Sequence, residues 1–178
     1  ENTVTDFKTD TLLRWSVRTN DNSGYIFFNN YQRLKTLSPK NDIQFTLDFP
    51  GEKLQIPQKT MSVPSGSAFF IPFNMDLNGA KLVYATAQPV AKIEEAGNTT
   101  YVFSEIQGIP VELAIDNHNV SVKSFAGKQR TEGNRIYLSG LKTGTSPAVR
   151  LRTASNREIS IILLNQKTSL KLWKGKFA

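Results

Sequence analysis

Apolar and polar residues alternate with a period of two along most of this chain. That spacing sets one face of a strand on a core and the other toward water. Leu12 to Thr19 is a β-rich run carrying Trp15 and Val17, and Tyr25-Ile26-Phe27-Phe28 resumes the pattern. Between them lies Asn20-Asp21-Asn22-Ser23-Gly24, a turn by composition, so the two runs read as a hairpin whose loop is longer than two residues. Ile43, Phe45, Leu47 and Phe49 alternate and stop at Pro50-Gly51; Leu54 and Ile56 open a shorter strand that stops at Pro57. Ser67 to Phe73 and Lys81 to Gln88 follow. After the polar turn Glu94-Glu95-Ala96-Gly97-Asn98 come Thr99–Glu105, Val111–Ile115, Val120–Phe125, Arg135–Leu138, Ala148–Arg152 and Ile159–Leu164.

Strand-sized pieces recurring about every 8 to 12 residues predict an all-β, antiparallel sandwich-like domain of many short strands. No linker or internal repeat interrupts residues 1–178, so they read as one domain of two packed lobes, about 1–92 and 93–178. Only the end looks helical, over about residues 165–175. Asn165 is a good N-cap, Leu170, Trp173 and Phe177 share a helical face, and Lys171 and Lys174 sit where the helix dipole favours cations. The pattern predicts a helix packed against the sheets to close the domain.

Composition adds little that changes this picture. At 178 residues, with 39% hydrophobic and 21% charged, the chain is long and apolar enough to bury a core. It has no cysteine, which removes disulfides, thiol nucleophiles and cysteine-bound metals. That absence fits a reducing compartment or bacterial export equally. No run approaches the roughly 20 apolar residues of a membrane span. Glu1 to Asp10 lacks a signal-peptide pattern, as in a mature product or an excised piece.

A formal net charge of +7 raises the question of nucleic acid. The basic residues are dispersed. The densest groups are Arg150, Arg152 and Arg157, then Lys167, Lys171, Lys174 and Lys176, with no basic helix and no aromatics interleaved among them. A solvated basic surface is the expectation.

Catalytic chemistry is hard to place. The single histidine, His118, sits in the turn-like Asp116-Asn117-His118-Asn119, without a Gly-x-Ser-x-Gly elbow. Zinc would need several His or Cys ligands, and phosphate-binding glycine loops are missing, so no cofactor or metal is expected. Asn98-Thr99-Thr100 and Asn119-Val120-Ser121 fit a glycosylation sequon, a tripeptide that arises often by chance. Glycoside cleavage needs two placed carboxylates. Glu105 and Glu112, flanking Gln107-Gly108-Ile109-Pro110, are the best pair the chain offers, but the expectation for them is surface strand positions. Trp15 and Trp173 are expected in the core, as are most other aromatics.

Two stretches carry a family likeness. One is Arg14-Trp15-Ser16-Val17-Arg18-Thr19-Asn20 leading into Ser23-Gly24-Tyr25-Ile26-Phe27-Phe28-Asn29-Asn30-Tyr31-Gln32-Arg33. The other is Ile71-Pro72-Phe73-Asn74-Met75-Asp76-Leu77 followed by Leu82-Val83-Tyr84-Ala85-Thr86-Ala87-Gln88. Together they resemble the second, all-β domain of glycoside hydrolase family 35 β-galactosidases. The closing Ile161-Ile162-Leu163-Leu164 and the later Leu172-Trp173 are similar to the way that domain finishes.

The resemblance implies a retaining galactosidase whose two catalytic Glu lie on an N-terminal TIM barrel. None of that barrel is in this sequence, so no catalytic residue carries over. It implies a non-catalytic accessory domain that packs against the barrel and against further β domains of the same polypeptide. Galactose-containing glycans are a further expected partner, and nucleic acid is not. The expected location is periplasmic or extracellular, in a bacterium. The alternative is a free-standing carbohydrate-binding module, which calls for an exposed aromatic platform. An adhesin-like interaction domain is a third, weaker possibility. If sugar is touched, the expected contacts are the polar strand-end residues Asn29, Asn30, Tyr31, Arg33, Asn74 and Asp76, whose simpler role is hydrogen bonding within loops.

Overall fold

A computed structural model describes residues 10–95, 97–173 and 175. The fold is all-β, with 14 strands and one helical turn among the described residues. In chain order they are β1 (Arg14–Asn20), β2 (Ser23–Asn29), β3 (Lys40–Phe49), β4 (Glu52–Val63), β5 (Ala68–Asp76), β6 (Lys81–Ala85) and β7 (Ala87–Glu95). Then follow β8 (Asn98–Glu105), β9 (Glu112–Asp116), β10 (Val120–Phe125), β11 (Lys128–Glu132), β12 (Arg135–Ser139), β13 (Val149–Thr153), β14 (Glu158–Leu164) and α1 (Gln166–Ser169).

Seven strands form a central sheet in the order β1-β2-β5-β6-β9-β12-β11, and five form a second sheet in the order β10-β13-β14-β8-β7. β3 and β4 make a separate two-stranded ribbon. All described strand pairings are antiparallel except β14 with β8.

Period-two alternation gives the central sheet two apolar faces. Ile26, Phe28, Phe69, Ile71, Phe73, Ala114 and Tyr137 pack with Leu54, Ile56, Met61 and Val63 of the ribbon in one cluster. Their neighbours Leu82, Leu113, Ile115, Ile136 and Leu138 face the other way, onto Tyr101, Phe103, Val149, Leu151, Ile159 and Ile161 of the second sheet. The molecule is thus ribbon, central sheet and second sheet in three layers, a sandwich with an added ribbon. Residue 92, the sequence-based lobe boundary, lies inside β7, and β9 and β12 return from the later half to the central sheet.

Several local expectations are corrected. The first hairpin has a two-residue loop, Asp21-Asn22, because Asn20 pairs with Ser23 and Asp21 adopts a left-handed φ of 51°. The strand from Leu54 does not stop at Pro57. β4 continues to Val63 around a bulge, where the partner of β3 jumps from Ile56 to Met61. Gln44 holds the bulge by donating Nε2 to the carbonyls of Pro57 and Gln58, at 2.9 Å each. Lys81 to Gln88 is two strands, not one. At Thr86 the chain leaves the central sheet for the second. The Thr86 amide donates to the Glu112 carbonyl at 2.9 Å, and its Oγ1 donates to the Pro110 carbonyl and accepts from the Glu112 amide, both at 2.7 Å.

The terminal helix is the largest correction. Asn165 caps it as expected, its Oδ1 accepting from the Thr168 amide at 2.8 Å. It lasts one turn and covers no core. Leu170 is 81% and Trp173 92% exposed, and Phe177 lies outside the described residues. Helices shorter than about 12 residues depend on tertiary packing, and here Ser169 Oγ is tied to Ser104 Oγ on β8 at 2.7 Å. Trp15 is likewise not in the core. It is 41% exposed at the edge strand, its ring edge-on to Phe45 at 5.0 Å.

Candidate functional site

The six polar residues singled out as sugar contacts fall at opposite ends of the β2–β5 pair. Asn29 pairs with Ala68, whereas Gly24 pairs with Phe73 next to Asn74. Five residues of strand separate the two ends, roughly 17 Å. Asn30 is buried, and its Nδ2 donates to the carbonyls of Ser38 at 3.0 Å, Val63 at 3.3 Å and Pro64 at 3.0 Å. It ties the 30–38 loop to the end of the ribbon. Asn29 Oδ1 accepts from the Tyr31 amide at 2.8 Å, closing an Asx turn that leaves the Tyr31 ring 53% exposed, with Arg33 exposed beside it. At the far end Asn74 donates Nδ2 to the Asn22 carbonyl at 2.9 Å, and Asp76 Oδ1 accepts from the Gly79 amide at 2.8 Å. Four of the six side chains therefore have structural bonds, and the structure does not gather the six into one site.

Glu105 and Glu112, the carboxylate pair from the sequence, are brought together. Glu105 ends β8 and Glu112 begins β9, and both line a cleft of about 830 Å³. Its walls are the bulge Pro57–Thr60 of β4, the connection from Ile106 to Val111, and the edge strand β11. The connection turns at Gly108 (φ 82°), where the Ile109 amide donates to the Ile106 carbonyl at 3.0 Å. A Cβ on Gly108 would lie 2.9 Å from Pro64 Cγ, so the turn seats closely on the ribbon.

Glu112 is held in place from below. Its Oε1 accepts from the buried Tyr84 hydroxyl at 2.5 Å and from the Gln58 amide at 3.3 Å. Burial, reinforced by the Glu112 carboxylate, pushes the Tyr84 hydroxyl far above the ordinary tyrosine range, so it remains a donor. On the opposite wall Arg130 lies over the Tyr137 ring, 4.6 Å from its centroid, and pairs with Glu132 at 2.5 Å. Gln58 Nε2 also donates to Glu132, at 2.9 Å. The Arg130 guanidinium and this amide hold the Glu132 carboxyl below its usual range. Lys59, Lys128 and Glu105 line the cleft with no ion-pair partner among the described residues. The sequence did not point to the basic wall, because Lys128–Glu132 contains no apolar residue and carries no strand signal.

A second feature is apolar. β1, β2 and most of β5 extend beyond the area that the second sheet covers, since that sheet ends at β7. On this open face Tyr25, Phe27 and Phe70 form a ring cluster with centroids 5.4 to 6.4 Å apart. Pro89 and Val90 border it across a shallow groove, and Phe27 and Val90 are 38% and 43% exposed. Gln88 props the groove open by accepting from the Phe70 amide at 3.1 Å, a bond that β6 no longer reaches.

His118 stands in the β9–β10 turn, its amide and Nδ1 both on Asp116 Oδ1, at 2.9 and 2.7 Å. Among the described residues no cluster of His, Asp and Glu is placed to hold a metal ion, and no helix is long and apolar enough to cross a membrane. No known protein-family model matches this chain, and no curated protein does.

Proposed function

We propose that this chain is a non-catalytic accessory domain of a larger β-galactosidase-type glycoside hydrolase, docked on a TIM-barrel catalytic domain of the same polypeptide. The observation that carries the reading is the open aromatic face of β2 and β5. Contiguous exposed apolar surface is unusual on a self-contained domain and marks an interaction surface. The family-like words of residues 14–33 and 71–88 run along β1, β2, β5 and β6, four adjacent strands of the sheet that bears this face, and on into β7. The face would meet the barrel, an export route would deliver the polypeptide to the periplasm or beyond, and galactose-containing glycans would be its substrates.

The test is to read the coding frame on both sides of this segment and to assay the whole polypeptide on a galactoside. A neighbouring barrel with two strand-end Glu, and loss of its cooperative unfolding with this domain in Phe27→Glu, is the expected result. An export signal immediately ahead of Glu1, with no barrel, would overturn the proposal. A free-standing carbohydrate-binding module would then take its place.

A further inference from the structure

The geometry points to the cleft between the β4 bulge and β11 as a binding site for a neutral oligosaccharide. This does not rest on a neighbouring barrel. The cleft volume of about 830 Å³ lies in the range of small-molecule sites, ~300–1,000 Å³. Its charges balance. Lys59 and Lys128 stand against Glu105 and Glu112, while Arg130 is already neutralised by Glu132. A ligand of either charge would gain from one pair of residues and lose to the other. A ligand whose groups both donate and accept can use both pairs, and each sugar hydroxyl does so.

The lining is also amphipathic in the way a pyranose requires. Buried Met61, Ile109 and Tyr137 lie behind an exposed rim of Thr60, Gln129 and the two lysines. C–H faces of a sugar would lie inward and hydroxyls would meet the rim. One acceptor is fixed before any ligand arrives, because Tyr84 and the Gln58 amide both bind Glu112 Oε1, and Oε2 has no hydrogen bond among the described residues. Preorganised acceptors of this kind bind without the cost of ordering a free carboxylate.

The experiment is calorimetric titration of the 178-residue protein with lactose, β-1,4-galactotetraose and cellotetraose, and separately with sulfate and trilysine. Saturable binding of at least one neutral saccharide is expected. Glu105→Ala and Lys128→Ala should each weaken it about tenfold, the loss from removing one charge-assisted hydrogen bond. Trp173→Ser, outside the cleft, should leave it unchanged. Glu112→Gln, which keeps side-chain shape, checks the same site should Glu105→Ala fold poorly. No saturable binding of any saccharide would overturn the inference. So would saccharide binding that survives the Glu105→Ala, Lys128→Ala double variant, or tighter binding of sulfate or trilysine.

Discussion

Replacing Tyr84 by Phe removes a single hydroxyl from beneath the cleft and leaves the buried ring in place, so no cavity opens. Two bonds go: the donation to Glu112 Oε1 at 2.5 Å and the acceptance from the Gln58 amide at 3.0 Å. The Gln58 amide is not orphaned, because it still reaches Glu112 Oε1 at 3.3 Å. The loss is therefore one charge-assisted hydrogen bond, about 2 kcal/mol. For a domain of this size that lowers Tm by ~4–8 °C. The pH dependence gives a sharper check. Tyr84 keeps its proton in the folded state, since burial and the Glu112 carboxylate raise its pKa, but in the unfolded chain it ionises near pH ~10. Above that pH the unfolded state binds fewer protons than the folded one, so wild-type stability falls by ~1.4 kcal/mol per pH unit on account of this residue. Tyr84→Phe lacks that loss. The two stability curves, about 2 kcal/mol apart at pH 7, should meet about 1.5 pH units above 10. Urea unfolding of both proteins from pH 7 to 11, followed by tryptophan fluorescence, measures the gap. A difference under ~0.5 kcal/mol at pH 7, or a gap that stays constant through pH 11, would refute the reasoning.

Gly24→Ala should cost ~3 kcal/mol or more, or yield no soluble protein, because the new Cβ would lie 2.1 Å from the Arg18 carbonyl oxygen. Gly51→Ala, with nothing within 4 Å but a φ of +81°, should cost only ~1 kcal/mol in the same urea titration. Asn30→Ala strips one donor group from three carbonyls at a buried site and should destabilise by ~3 kcal/mol, measured by the shift in urea midpoint. Trp173→Ser should change stability by less than ~0.5 kcal/mol, and a larger loss by thermal scanning would show that this indole packs somewhere.

Most strands were legible because alternating residues meet a core on one side, as Ile43, Phe45 and Leu47 do. β11 escaped notice because it is held by pairing with β12 and by Arg130 over Tyr137, and both need a partner distant in sequence. Pro57 reads as a stop to any local rule. The bonds that let β4 continue past it come from side chains distant in sequence, Gln44 to the Pro57 and Gln58 carbonyls and Tyr84 and Glu112 to the Gln58 amide. The terminal helix failed in the opposite sense: the periodicity was present, but the helix ends after one turn and Leu170 and Trp173 stay exposed. The Asn78-Gly79 pair closes the β5–β6 hairpin with both residues at positive φ, a signal the alternation alone does not use. Of the site, the Glu105 and Glu112 pairing was visible as two acids around a turn. Their company was not, since Tyr84 and Gln58 reach Glu112 across 28 and 54 residues.

The parallel pairing of β14 with β8 has a consequence for synthesis on the ribosome. β14 runs between β8 and β13, so the second sheet is completed by the last of its strands to be made. Until Leu164 has left the exit tunnel, β7–β8 and β10–β13 are two separate strand pairs, and the edges of β8 and β13 that β14 will join are open. The interval is the moment at which a nascent chain most needs a chaperone. A rare codon or a pause just before Glu158 would lengthen it, which makes the stretch from Thr153 to Leu164 the place where synonymous changes could alter the yield of folded protein.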